Sequence, residues 1–334
     1  MAQIDWRIRR LGQGVFTVLA VLTLSFVMIR LMPGNPMGAM VENLRSQGIN
    51  PVRARELVRI RMGTDPTKPL VPAYFEYMIN FFQGELGYST FYQMPVATKL
   101  AQVMPWTLFV LSWGVFISFF TGMAMGALMA YWEGGKLDVG FTTFAVLMGS
   151  IPFYVLAILL LVFTSYRWGW FPTGGKVRAG LEPGMNYAYI SSMVRHATLP
   201  ILSYLVASGI ASLGMRGNSI RVLGEDYLRV ARLRGLSDVT ISTQYVARNA
   251  VLPLYTTLLI SIGEMFGGSV VLEQVFQYRG LGFAFYQALN QRDYAMMMGG
   301  FALITIVTVV ALLIADMTYG YIDPRARGGK DESY

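Results

Sequence analysis

Residues Glu225 to Pro253 read EDYLRVARLRGLSDVTISTQYVARNAVLP, a polar, basic stretch with apolar runs on both sides. From Arg216 to Arg248 the chain carries Arg216, Arg221, Arg229, Arg232, Arg234 and Arg248 against Glu225, Asp226 and Asp238. The most polar central segment of a hydrophobic chain is the one expected to leave the bilayer and meet something soluble. Glu225 to Arg234 has no Gly or Pro and is rich in good helix formers. Its acids come first and its arginines follow, an order that suits the helix dipole. Gly235 offers the left-handed conformation that ends a helix, and Ser237 or Asp238 can cap the next one. Tyr227, Val230, Ala231 and Arg234 share one helical face, and Ala231 and Gly235 are small enough for a partner to approach closely. Two readings stand at this point. The stretch is a pair of short cytoplasmic helices that docks on a partner, or it is a basic inside loop that only fixes topology.

Composition sets the surroundings. Of 334 residues, 54% are hydrophobic and 14% charged, against roughly 25% charged in soluble domains. Mean hydropathy is +0.46. The chain reads as an all-α polytopic membrane protein. Its formal charge of +8 is explained by loop arginines facing anionic lipid headgroups, and nucleic acid is not an expected partner. With no cysteine and one histidine, His196, the sequence excludes thiolate chemistry and HExxH or multi-histidine metal sites.

About 20 apolar residues cross a bilayer, and six stretches qualify. The first, Val15 to Met32, follows Arg7, Arg9 and Arg10 and ends at Pro33-Gly34-Asn35-Pro36. It reads as an uncleaved first span with the N-terminus inside. Residues 34–104 are too long and too patterned for a bare loop. With amphipathic pieces at Val52–Met62, Tyr74–Phe82 and Val96–Val103, they predict a small folded extracytoplasmic cap. The second span is Trp106 to Tyr131, and the third is Val139 to Tyr166, kinked at Pro152. Trp168, Trp170 and Phe171 follow as an interfacial belt, and Thr173 to Arg195 reads as an outside loop. The fourth span, Leu199 to Leu213, enters the basic segment. The fifth is Leu254 to Val275. Phe276 to Tyr294 lies outside, and the sixth runs from Ala295 to about Ile314. The domain plan is then 1–33 for the N-terminus and first helix, 34–104 for the cap, 105–322 for a core with loop 216–253, and 323–334 for a cytoplasmic tail. Gly122, Gly126, Gly263, Gly267 and Gly268 permit close helix packing.

Ionisable groups at membrane depth are costly and so begin as functional candidates. Glu264, the most central by this span plan, is a possible pathway or gate residue, or a carboxyl bonded to a neighbouring helix. Glu273 and Asp316 sit near interfaces and read as structural, as does His196 beside Leu199-Pro200. No acid relay of a proton-coupled carrier appears. No Walker A sequence is present, and Gly214-x-x-Gly217-x-Ser219 has the wrong spacing for a GxSxG elbow. An intramembrane enzyme would need a catalytic pair or metal cluster that these residues do not supply.

The order of motifs resembles a known family. Phe26 through Arg30 to Pro33-Gly34-Asn35-Pro36, Gly84-Glu85-Leu86-Gly87-Tyr88-Ser89, Pro105-Trp106-Thr107-Leu108, Ser150-Ile151-Pro152-Phe153-Tyr154 and His196-Ala197-Thr198-Leu199-Pro200 come first. Glu225-Asp226-Tyr227, Ala231, Gly235-Leu236-Ser237 and Arg248 to Pro253 follow in the central loop. Glu273-Gln274-Val275-Phe276, Gly280-Leu281-Gly282, Arg292-Asp293-Tyr294 and Asp323-Pro324-Arg325 complete the series. The chain is similar to the permease subunits of binding-protein-dependent ABC importers, most closely the B-type subunit of the dipeptide/oligopeptide/nickel group. Its central stretch resembles their "EAA" loop. Arg229, Arg279 and Asn35 stand where the pattern has Glu, Pro and Asp.

That resemblance implies a type I importer permease fold of six transmembrane helices in the cell membrane, with both termini cytoplasmic. It implies a second permease subunit, expected to be different, two ABC ATPase subunits and an extracytoplasmic binding protein. ATP and Mg would be held by the partners, and no cofactor or metal by this chain. Coupling to the ATPase would fall to Glu225, Asp226, Tyr227, Arg229, Ala231, Arg232, Arg234, Gly235, Leu236 and Ser237. The implied cargo is a di- or oligopeptide, with nickel, an oligosaccharide or another small solute as alternatives. A stand-alone ion-coupled carrier ranks below these.

Overall fold

The computed structural model describes residues 2–31, 36–62, 68–207, 209–237, 240–241, 244–245, 250, 255, 258 and 269–322. Nearly all the regular structure is helical. The elements are α1 (Ala2–Leu31), α2 (Pro36–Ser46), α3 (Pro51–Met62), α4 (Leu70–Phe82) and a two-stranded hairpin of β1 (Tyr88–Ser89) and β2 (Met94–Pro95). They continue with α5 (Val96–Tyr131), α6 (Lys136–Gly149), α7 (Phe153–Leu160) running into a π-helical turn (Leu161–Arg167), α8 (Tyr187–Ala207), α9 (Gly209–Leu223) and α10 (Asp226–Leu233). The last two are α11 (Leu281–Asn290) and α12 (Tyr294–Ile322).

Among the described residues, three helices are long and apolar enough to cross a membrane: Ile8–Met28 of α1, all of α5, and Tyr294–Ile314 of α12. They keep bulky apolar side chains such as Phe16, Trp113, Phe116 and Phe120 exposed, as a lipid-facing surface requires. A fourth span exists only if the pair α6 and α7, bent by 98°, is one crossing. Six spans are therefore not reached among the described residues. Most of the expected fifth, with Glu264 and Gly263, Gly267 and Gly268, lies outside them.

Two prolines behave in opposite ways. Val96–Val103, read as a piece of the cap, and the second span from Trp106 form one continuous α5 with Pro105 inside it. At Pro152 the expected kinked helix is instead two helices, because Ser150 closes α6 and Pro152 begins α7 with ψ of 135°. The expected outside loop is also shorter, since α8 starts at Tyr187 and carries Pro200 within it.

The chain divides into two compact units, Met1–Thr107 with Arg279–Leu313, and Leu108–Tyr278 with Ile314–Tyr334. The first unit buries Leu22, Phe26, Ala54, Val58, Val96, Leu281 and Met296 in one core. Its polar centre is Asp293, almost fully buried. One carboxylate oxygen accepts from the Ser89 hydroxyl and from the Phe91 amide at 3.1 Å, and the other from the Met296 amide at 3.2 Å. One side chain thus ties the 88–95 hairpin to the start of α12. Thr107 similarly accepts from the Leu281 amide at 2.7 Å, at the N-terminus of α11.

In the second unit, close approach depends on small residues. A Cβ on Gly126 of α5 would collide with the Ser212 carbonyl and lie 2.5 Å from the Met215 Cβ, both on α9. A Cβ on Gly114 would lie 2.8 Å from the Tyr204 ring on α8, and one on Gly209 3.1 Å from the Ala145 backbone on α6. Helix α9 is therefore packed hard against both α5 and α6.

Candidate functional site

Helix α10 has the shape its sequence dictates. Glu225 precedes it in extended conformation, with φ −75° and ψ 140°. No side chain caps this end, and the Leu228 amide bonds back to the Glu225 carbonyl at 3.1 Å. At the other end Gly235 has φ of +73°. Its amide donates to the Arg232 carbonyl at 2.9 Å, and the Leu236 amide to the Ala231 carbonyl at 3.3 Å. This is the paired-bond helix stop that needs a left-handed residue, ordinarily Gly. Ser237 then opens the next turn. Its hydroxyl accepts from the Thr240 amide at 3.3 Å, and its carbonyl from the Ile241 amide at 3.0 Å. Asp238, the other capping candidate, lies outside the described residues.

The inward face of α10 is Leu228 and Ala231, both buried with Ile241, with Val222, Leu223, Leu236 and Tyr245 packed around them. Ala231 has a packing role that the sequence reading did not give it. Its small side chain is buried in packing within this chain, against Leu228 and Ile241. The outward face carries Tyr227, Val230 and Leu233, the last 81% exposed. Arg229, Arg232 and Arg234 are exposed as well, with Glu225 and Asp226 exposed at the opposite end. The result is a basic helix with a greasy tip.

The site is continuous with the helix that leads into it. Val222 of α9 touches both the α10 cluster and a second cluster of Met215, Ala250, Phe119, Met123 and Ala127. Below that, α9 is clamped by an ion pair absent from the sequence expectations. The Arg216 guanidinium donates to Asp138 of α6 through Nε at 2.6 Å and Nη2 at 2.8 Å. The Asp138 carboxylate is buried and also accepts from the Gly134 amide at 3.0 Å and the Thr142 hydroxyl at 3.3 Å. Asp138 and Arg216 both fall at the inner ends of predicted spans, but nothing in the sequence pairs them. A two-pronged Arg–carboxylate pair fixes direction as well as distance.

Of the charged candidates elsewhere, Glu273 is buried. Glu264 lies outside the described residues, as does the side chain of Asp316. His196 bonds through Nδ1 to the Ser192 carbonyl of its own helix at 2.7 Å, which fits a structural role. No group of metal-ligating side chains occurs among the described residues.

Comparison with known proteins gives this geometry a context. A family model for the binding-protein-dependent transport system inner membrane component matches residues 122–328. The oligopeptide transport system permease protein AppB of Bacillus subtilis is 32% identical over 321 residues, 95% of this chain and 98% of its own length. The di/tripeptide transport system permease protein DppB of Pseudomonas aeruginosa is 29% identical over 334 residues, 96% of this chain and 97% of its own. A solved chain of the MetNI methionine ABC transporter, in an inward-facing conformation, superposes with a TM-score of 0.52 at 20% identity. It covers 67% of this chain and 96% of that one, and at such identity the likeness is one of fold.

Proposed function

The chain belongs to the family of binding-protein-dependent transport system inner membrane components, and from that membership we propose that it passes short peptides across the membrane. It is a multi-pass transmembrane permease subunit of an ABC importer, with the type I fold. It is not an enzyme: ATP hydrolysis resides in separate subunits, and a substrate-binding protein works with the complex.

One observation carries the peptide reading. The similarity to di/tripeptide and oligopeptide permeases runs over 95–96% of the chain. It therefore includes the N-terminal third that precedes the family match at residue 122.

The finer assembly is a second, different permease subunit, two ATPases holding ATP and Mg, and an extracytoplasmic binding protein. Both termini are cytoplasmic, and residues 34–104 form a cap on the other side. Helix α10 seats in a groove of an ATPase. Tyr227, Val230 and Leu233 are its apolar contacts, and Arg229, Arg232 and Arg234 give charge complementarity. Closure of the ATPases pushes α10. Val222 carries the push into α9, and the Gly126 contact and the Asp138–Arg216 pair make α5, α6 and α9 follow as a near-rigid body. This is alternating access by rocking.

The test is uptake by the complex purified from native membranes and reconstituted with its binding protein. ATP-dependent accumulation of labelled di- and tripeptides, competed by unlabelled peptides, is expected. Accumulation of nickel or an oligosaccharide with no competition by peptides would refute the peptide reading.

A further inference from the structure

Helix α4 has a face that nothing in its own unit covers. Val71, Phe75, Ile79 and Phe82 are 62%, 60%, 56% and 69% exposed. Their spacing of 4, 4 and 3 residues sets them in one stripe within about 80° of the helix circumference. The opposite face is the packed one, with Ala73 and Tyr77 buried and Tyr74, Met78 and Phe81 beside them. A polar edge separates the two. Glu76 accepts from Lys68 at 2.8 Å, and Arg59 of α3 lies 3.8 Å from it.

What covers the stripe follows from where α4 is attached. The Tyr74 hydroxyl bonds the Thr23 hydroxyl of α1 at 2.7 Å, and Tyr77 stacks on Phe26 of α1 with centroids 5.4 Å apart. Both α1 residues lie inside the span Ile8–Met28. Helix α4 is thus held against an apolar, membrane-spanning helix by its packed face, the arrangement in which an amphipathic helix lays its other face into the membrane interface. With 13 residues, α4 is about 20 Å long, too short to cross a core of about 30 Å. Left in water, the four side chains would forgo the favourable transfer of their apolar surface out of water.

We propose that α4 is an in-plane membrane anchor whose Val71–Phe75–Ile79–Phe82 stripe lies among the acyl chains of the leaflet at the C-terminal end of α1. Lys68 and Arg59 mark the edge that faces headgroups. The anchor fixes the height of residues 70–95, and with them the Asp293-bound hairpin, against the span.

The chain has no cysteine, so Phe75→Cys and Ile79→Cys each give this chain a single nitroxide label in the assembled importer. Background from partner subunits is measured with the unsubstituted chain. In liposomes, both labels are expected to collide more with oxygen than with Ni(II)-EDDA, as Leu24→Cys on the exposed face of α1 does. The Ni(II)-EDDA collision rate should be several-fold below that at Met185→Cys, a position 96% exposed. Aqueous access equal to that at Met185→Cys would overturn the proposal. So would labels shielded from both reagents, since a protein surface would then cover the stripe.

Discussion

Asp138 is a buried carboxylate with donors from Arg216, Gly134 and Thr142, and Arg216 supplies the two shortest of its bonds. The Arg216 side chain is part-exposed, so removing it leaves the buried Asp138 carboxylate short of its main donor at a cost of about 1–3 kcal/mol, whereas removing both partners costs less. Arg216→Met is therefore expected to lower the thermal midpoint of the purified complex sharply, and Asp138→Asn added to it should recover much of the loss. The coupling energy from the four-protein cycle should be about 1–3 kcal/mol. Additive effects would show that the pair does not hold α6 to α9. The sequence placed both residues at inner span ends but gave no sign that they meet. Contact between them depends on α9 lying close to α6, which Gly209 against Ala145 permits.

Local rules were legible at the level of elements wherever a single residue type was required. Gly235 predicted a left-handed stop, and the chain has it at φ +73°. Ser237 or Asp238 was expected to cap the next turn, and the Ser237 hydroxyl accepts the Thr240 amide. The facing of α10 was not legible, because a period of 3.6 defines faces without saying which is inward. Leu228 and Ala231 became the inner face through Ile241 and Tyr245, which arrive from beyond the turn. Prolines were ambiguous for a related reason: Pro105 and Pro152 restrict the preceding residue alike, yet one lies inside a helix and one at a helix start. The facing of α10 yields a prediction. Val230→Asp and Leu233→Asp put a charge on the exposed face and are expected to strip the ATPases from the complex without shifting the permease's own thermal midpoint. Leu228→Ala truncates a buried side chain and should cost about 2–5 kcal/mol of stability. ATPases retained by both aspartate variants would remove α10 as the docking element.

For the whole molecule, hydropathy announced a membrane protein, and the order of motifs announced the family. The sequence did not show how distant motifs meet. Ser89 of one motif and Asp293 of another are joined in one hydrogen-bonded knot, because the hairpin and the start of α12 share a buried site that no local pattern encodes. Transport is likewise a property of the assembly, and Gly235 separates it from folding. A Cβ at Gly235 would meet no atom within 4 Å, and Asp is among the residues that tolerate the left-handed region. Gly235→Asp should therefore leave the permease folded, at a backbone cost of about 1–2 kcal/mol. Its carboxylate, however, would lie at the end of α10, the helix proposed to dock, near Arg232 and Arg234. We expect the complex to assemble and hydrolyse ATP while uptake falls roughly tenfold, within the usual range of coupling between sites. Gly235→Asn shares the backbone strain without the charge and should retain most uptake. Normal uptake by the aspartate variant would deny α10 its coupling role. Parallel loss of uptake and hydrolysis, by contrast, would mean that the substitution acts on assembly and not on transmission through α9.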